Sequence, residues 1–113
     1  MRRLAFALGI FGLALSGCAT TTARPGSELV GQSLRVEGSA GPPTLLAFAA
    51  DGTVTGSTNG NRATGRWEVA NRRICLTFER TGRECFPYLA PFRRGQTVTL
   101  TGSSGVTVRA TLQ

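Results

Sequence analysis

From Ser33 onward the sequence sustains no apolar stripe of helical period; short runs rich in Val, Thr, Leu and Phe alternate with clusters of Gly, Asn, Ser and Pro. That punctuation points to antiparallel β-structure. We read strands at 33–37, 44–50, 53–57, 64–70, 73–79, 84–88, 96–101 and 106–112. Asp51-Gly52 predicts a two-residue hairpin, Asn59-Gly60-Asn61 a longer turn, and Gly102-Ser103-Ser104-Gly105 the last turn. About eight strands with short connections imply an all-β meander forming a barrel or a flattened sandwich, since closure removes exposed edges.

Alternation selects the inward face: Leu34 and Val36, Leu46 and Phe48, Trp67 and Val69, Ile74, Leu76 and Phe78, Phe86 and Tyr88, Val98 and Leu100, then Val106, Val108 and Leu112. The same pleat turns Cys75, Thr77 and Glu79 outward on the fifth strand, and Cys85 and Pro87 outward on the sixth. Cys75 and Cys85 stand opposite each other only if their hairpin is centred on Arg80, as an odd-length loop allows; a two-residue Thr81-Gly82 turn would misalign them.

The start of the chain carries a different signal. Arg2 and Arg3 precede an apolar and glycine run from Leu4 to Leu15, the pattern of a secretory signal. As a helix these twelve residues would cover about 18 Å, short of the roughly 30 Å hydrocarbon core of a bilayer. Leu15-Ser16-Gly17-Cys18 resembles the lipobox, in which the cysteine thiol takes diacylglycerol before cleavage on its amino side. Two or three acyl chains on Cys18 anchor a protein stably where one does not. Ala19 follows, rather than the aspartate associated with inner-membrane retention, so the expected address is the outer membrane, facing the periplasm. The twin arginines lack the surrounding pattern of the folded-protein export signal, which leaves general secretion. The expected organisation is a signal peptide over 1–17, a lipidated cysteine and flexible tether over 18–32, and an antiparallel β domain over 33–113.

A mature domain of this size is small for a self-sufficient core. Cys75 and Cys85 are the only cysteines besides Cys18, and in an oxidising envelope an even pair is expected to form a disulfide. A redox or metal role would need two-residue spacing or further ligands, and the chain has no histidine. No metal or cofactor is expected.

Residues 18–113 hold eleven arginines, no lysine and six acids. An exported basic protein rarely meets nucleic acid; anionic headgroups, sugars or acidic proteins are its natural partners. Catalysis needs a positioned nucleophile or proton carrier, and the acids Glu28, Glu37, Asp51, Glu68, Glu79 and Glu84 are scattered singly. The protein is expected not to be an enzyme. The glycines form neither a G-x-G-x-x-G fingerprint nor a P-loop.

Loops of an eight-stranded meander alternate between the two ends of a barrel. Counting them puts Arg72 and Arg73, after the fourth strand, at the same end as Arg93 and Arg94, after the sixth, and that is the end where the chain arrives from Cys18. A four-arginine cluster facing the membrane is therefore expected.

Phe48-Ala49-Ala50-Asp51-Gly52-Thr53-Val54-Thr55-Gly56, with Asn61-Arg62 and Gly65-Arg66-Trp67, resembles the META-domain lipoproteins over about twenty residues. Gly65-x-Trp67-x-Val69, Ile74-Cys75-x-x-x-Phe78 and Glu84-Cys85-Phe86 are similar to small bacterial envelope proteins of uncharacterised function with a paired-cysteine β-hairpin. Both resemblances imply small antiparallel β domains in the envelope, and neither implies an activity. The expected function is a noncatalytic envelope lipoprotein whose domain binds or supports another envelope component. The alternatives are an inhibitor of a periplasmic protease or lysozyme, acting through Asn59–Arg62 or Leu89–Arg94, and a ligand carrier with an apolar cavity around Trp67 and Phe78.

Overall fold

The computed structural model of the protein describes residues 24–113, so the expected signal segment and Cys18 lie outside the described residues. Eight strands follow a short 3-10 turn at Ser27–Leu29: β1 (Ser33–Glu37), β2 (Thr44–Phe48), β3 (Thr53–Thr58), β4 (Asn61–Ala70), β5 (Arg73–Phe78), β6 (Gly82–Pro87), β7 (Thr97–Thr101) and β8 (Thr107–Leu112). Every pairing is antiparallel, in the order β6-β5-β4-β3-β2-β1-β8-β7. That order is an up-and-down meander whose ends meet at β1 and β8, leaving a seam between β6 and β7. The barrel is nearly closed, as the strand pattern predicts.

Inward positions make one core: Leu29, Leu34, Leu46, Phe48, Val54, Ile74, Leu76, Tyr88, Phe92, Ala110 and Leu112 are buried, with Trp67, Val69, Phe78, Phe86, Val98 and Leu100 packed against them. Burying a side chain such as Leu29 contributes on the order of 2 kcal/mol. Val106 is an exception to the expected face, being 44% exposed. It sits in the turn before β8 and escapes the pleat.

Three local expectations change. The segment 24–32, assigned to the tether, is folded onto the barrel: Leu29 has no exposed surface, and Gln32 accepts from the Phe48 amide at 3.3 Å. The domain therefore begins by residue 24 rather than 33. Asp51-Gly52 is not a two-residue turn. The Gly52 amide bonds Ala49 O at 3.2 Å and the Ala49 amide bonds Thr53 O at 2.9 Å, a type I turn closed by Gly52 at φ 93°. This stops β2 at Phe48. Finally, Asn59-Gly60 is a two-residue turn rather than the longer one expected over 59–61: it pairs Thr58 directly with Asn61, so β4 begins three residues earlier than its β-forming residues suggest.

Candidate functional site

The cysteines take the register that an odd-length hairpin requires. Phe78 pairs with Gly82 and Cys75 with Cys85 across a loop centred on Arg80. The Cα atoms are 4.0 Å apart and the two sulfurs are bonded. Beside this disulfide, on the outer face, Arg83 reaches Glu68 at 3.5 Å; both side chains are more than half exposed, so the pair adds little.

The seam beside β6 is sealed at one place. The Ser103 amide donates to Cys85 O at 2.8 Å, and the Cys85 amide donates to Ser103 Oγ at 3.1 Å. Glu84 lies on the inward side of β6, opposite Leu76, and accepts from the Ser104 amide at 2.8 Å and the Ser103 hydroxyl at 3.4 Å. Those bonds, the Ser104 amide foremost, hold its carboxyl below the usual glutamate range. Gly102 leaves the room: a side chain there would collide with Glu84 and Phe86.

At the end where the chain arrives, here the proximal end, Glu28 ties three segments together. Its carboxylate accepts from the Tyr88 hydroxyl at 2.8 Å and from the Phe92 amide at 2.9 Å, while Tyr88 Oη accepts from the Gly26 amide at 2.9 Å. Burial, then the neighbouring Glu28 carboxylate, pushes the Tyr88 phenol up to about 12. Gly26, at φ 89°, passes so close to Val69 and Trp67 that a side chain would clash.

Arg72 lies in the β4–β5 turn, Arg73 opens β5, and Arg93 and Arg94 lie in the β6–β7 loop; all four are exposed. The two loops meet where the Tyr88 amide donates to Arg72 O at 2.8 Å, and Arg94 donates to Gln32 Oε1 at 3.1 Å beside the arriving chain. Arg24, in the stretch that sequence pattern assigns to the tether, adds a fifth exposed guanidinium. Leu89, in the same loop, is 70% exposed. Of the two segments suited to an inhibitor, Asn59-Gly60 is a tight turn at the distal end, and Leu89–Arg94 is at the proximal end with Phe92 buried.

Trp67 and Phe78 do not share a cavity. The Trp67 indole donates to Ala49 O at 3.0 Å and meets Phe48 edge-on at 5.0 Å; it borders a proximal cleft of about 480 Å³. Phe78 instead borders a distal groove of about 890 Å³, open to solvent, with Leu46 and Gly56 in its floor, Thr44 and Thr58 in its wall, and Arg62 and Arg80 at its rim. The groove exists because β4 outruns β5. Their last pair is Gly65 with Phe78, so Asn61–Thr64 projects past the end of β5. Sequence reading missed it by starting the fourth strand at 64.

Among the described residues no cluster of His, Cys, Asp and Glu is arranged to hold a metal ion, and no helix is long and apolar enough to cross a membrane. The fold defines the class of small disulfide-bearing antiparallel barrels. Comparison of the chain with protein-family models, with characterised proteins and with solved structures finds no match.

Proposed function

We propose that the protein is a noncatalytic lipoprotein of the bacterial envelope, anchored through Cys18 to the outer membrane on its periplasmic side, with its proximal end on the lipid and its distal end free for a partner. The observation that carries this reading is the asymmetry of charge. Arg24, Arg72, Arg73, Arg93 and Arg94 share the end at which the chain arrives from Cys18, whereas the distal turns at 38–43, 59–60 and 102–105 carry no charge and the fourth, at 79–81, sets one arginine, Arg80, beside one acid, Glu79.

Five residues, Ala19 to Ala23, lie between Cys18 and Arg24, a reach of at most about 22 Å when extended. An anchor that short holds the proximal arginines within or near the headgroup layer, where each contributes about 1 kcal/mol against anionic lipid. The bonded cysteines fit an oxidising compartment. Noncatalytic action fits the occupation of five of the six acids: Glu28 and Glu84 hold segments together, Asp51 accepts from the Thr53 amide within its turn, and Glu37 and Glu68 face arginines.

Metabolic labelling with palmitate and membrane fractionation test the reading. The wild-type chain is expected to carry label and sediment with the outer membrane, and Cys18→Ser to lose both. Identical fractionation of the two chains, without label, would sink the proposal.

A further inference from the structure

The projecting stretch of β4 is an unpaired sheet edge, and its register shows which groups it offers. In an antiparallel ladder only alternate residues bond a given neighbour. The two-residue turn at Asn59-Gly60 makes Thr58 and Asn61 a bonded pair, so Asn61 and Ala63 turn their peptide groups to β3 while Arg62 and Thr64 turn theirs away. The lower part of the strand agrees: counting from the Ala70–Arg73 pair around its own two-residue turn puts Glu68 and Arg66 in register to bond β5. Since β5 stops at Phe78, no strand faces Arg62 and Thr64 on that side.

We propose that this edge binds an extended, acidic segment of another protein by strand addition, with its main chain on Arg62 and Thr64, its carboxylates against Arg62 and Arg80, and alternate side chains over Leu46 and Phe78. Main-chain bonds supply affinity in such additions and the adjoining pocket supplies selectivity. The groove fits that division. Gly56 contributes no side chain to the floor, which leaves room for one from the incoming strand. Among the described residues neither Arg62 nor Arg80 is in an ion pair, and Glu79 is the sole acid at the groove. A second copy of this chain is a poor occupant, because it carries a formal net charge of +7 and would set arginine edge against arginine edge. The chain's own residues 1–23 contain no aspartate or glutamate, and Arg24, which follows them, lies at the opposite end. This names the partner class that the proposed function leaves open, and it stands whether or not Cys18 is lipidated.

The test uses the full chain with its disulfide intact, held in mild nonionic detergent and titrated with a blocked nonapeptide alternating glutamate and valine. A second titration uses lysine in place of glutamate. Saturable binding of the acidic peptide is expected, at least tenfold tighter than the basic one, with the amides of Arg62 and Thr64 moving most in the NMR spectrum and gaining protection from exchange. Thr64→Pro deletes one outward N–H without touching the β3 ladder and is expected to weaken binding at least tenfold. The double variant Arg62→Glu and Arg80→Glu should invert the preference, and it decides the matter if Thr64→Pro fails to fold. Absence of saturable binding, equal affinity for the two peptides, or an unchanged preference in the charge-reversed variant would overturn the proposal. So would protection of the same amides that grows with protein concentration alone, which would assign the edge to a second copy.

Discussion

The hydroxyl of Tyr88 lies 2.8 Å from a carboxylate oxygen of Glu28, joining the first turn of the domain to the long β6–β7 loop. Through this bond and the Phe92 amide, the segment carrying Leu29 is fastened under the barrel rather than left as tether.

Tyr88 is the only tyrosine in the chain, so its ionisation can be followed directly by ultraviolet absorbance. A phenol whose folded-state pKa is raised favours the folded state while it is neutral; that stability is complete below about pH 10 and is lost as the pH climbs towards about 12. Absorbance and unfolding are expected to change together in that window. In Tyr88→Phe the alkaline loss attributed to the phenol should disappear, and stability at neutral pH should fall by about 1 kcal/mol as the part-buried bond to Glu28 and the buried one from the Gly26 amide are lost.

Glu84 behaves in the opposite sense. Its carboxyl is held below the usual range by Ser104, so its contribution is present above about pH 4.5 and lost as the pH falls through the lowered value. Hydrogen exchange of the Ser104 amide, corrected for its intrinsic pH dependence, should accelerate on acidification. Glu84→Gln should show the faster exchange already at neutral pH.

The Cys75–Cys85 bond closes a short loop, with a sequence separation of 10, and the chain-entropy relation gives about 2.5 to 3 kcal/mol for it. Replacing both cysteines by serine should lower the free energy of unfolding in urea by that amount. Because Cys85 also holds the Ser103 turn, exchange at Ser103 should rise with it.

Two glycines in the barrel wall should respond differently to alanine. At Gly65 a Cβ would collide with Thr77 O and the Phe78 ring, whereas at Gly56 the nearest atom, Leu46 Cδ2, lies at an ordinary 3.5 Å. Gly65→Ala is expected to cost about 1 to 3 kcal/mol, and Gly56→Ala to stay within about 1 kcal/mol, as thermal unfolding of the two variants would measure.

Much of this architecture is legible in local pattern. Strict alternation at Ile74, Leu76 and Phe78 marks a strand and its face, and centring the hairpin on Arg80 follows from asking both cysteines to meet. What local pattern misses are relationships made over long distances. Leu29 and Val30 are an isolated apolar pair in a polar stretch, and the bonds from Tyr88 and Phe92, about sixty residues away, to the adjacent Glu28 hold Leu29 in the core. The notch at Arg62 and Thr64 comes from unequal strand lengths, while Asn61, Arg62 and Ala63 are poor strand formers by composition. Glu84 could have been found, since it shares the inward parity of Phe86. An acid on that face needs partners, and the Gly102-Ser103-Ser104 turn supplies them.

The central claim is that the proximal end rests on the membrane and the distal end faces away. Nitroxide labels at Leu89→Cys and, separately, Asn59→Cys, on the lipidated chain in anionic vesicles, test it by comparing collisions with lipid-soluble oxygen and a water-soluble nickel complex. The account predicts a headgroup-depth signal at position 89, weakened by salt, and a fully aqueous one at position 59. A membrane signal at 59, or aqueous signals at both, would contradict it.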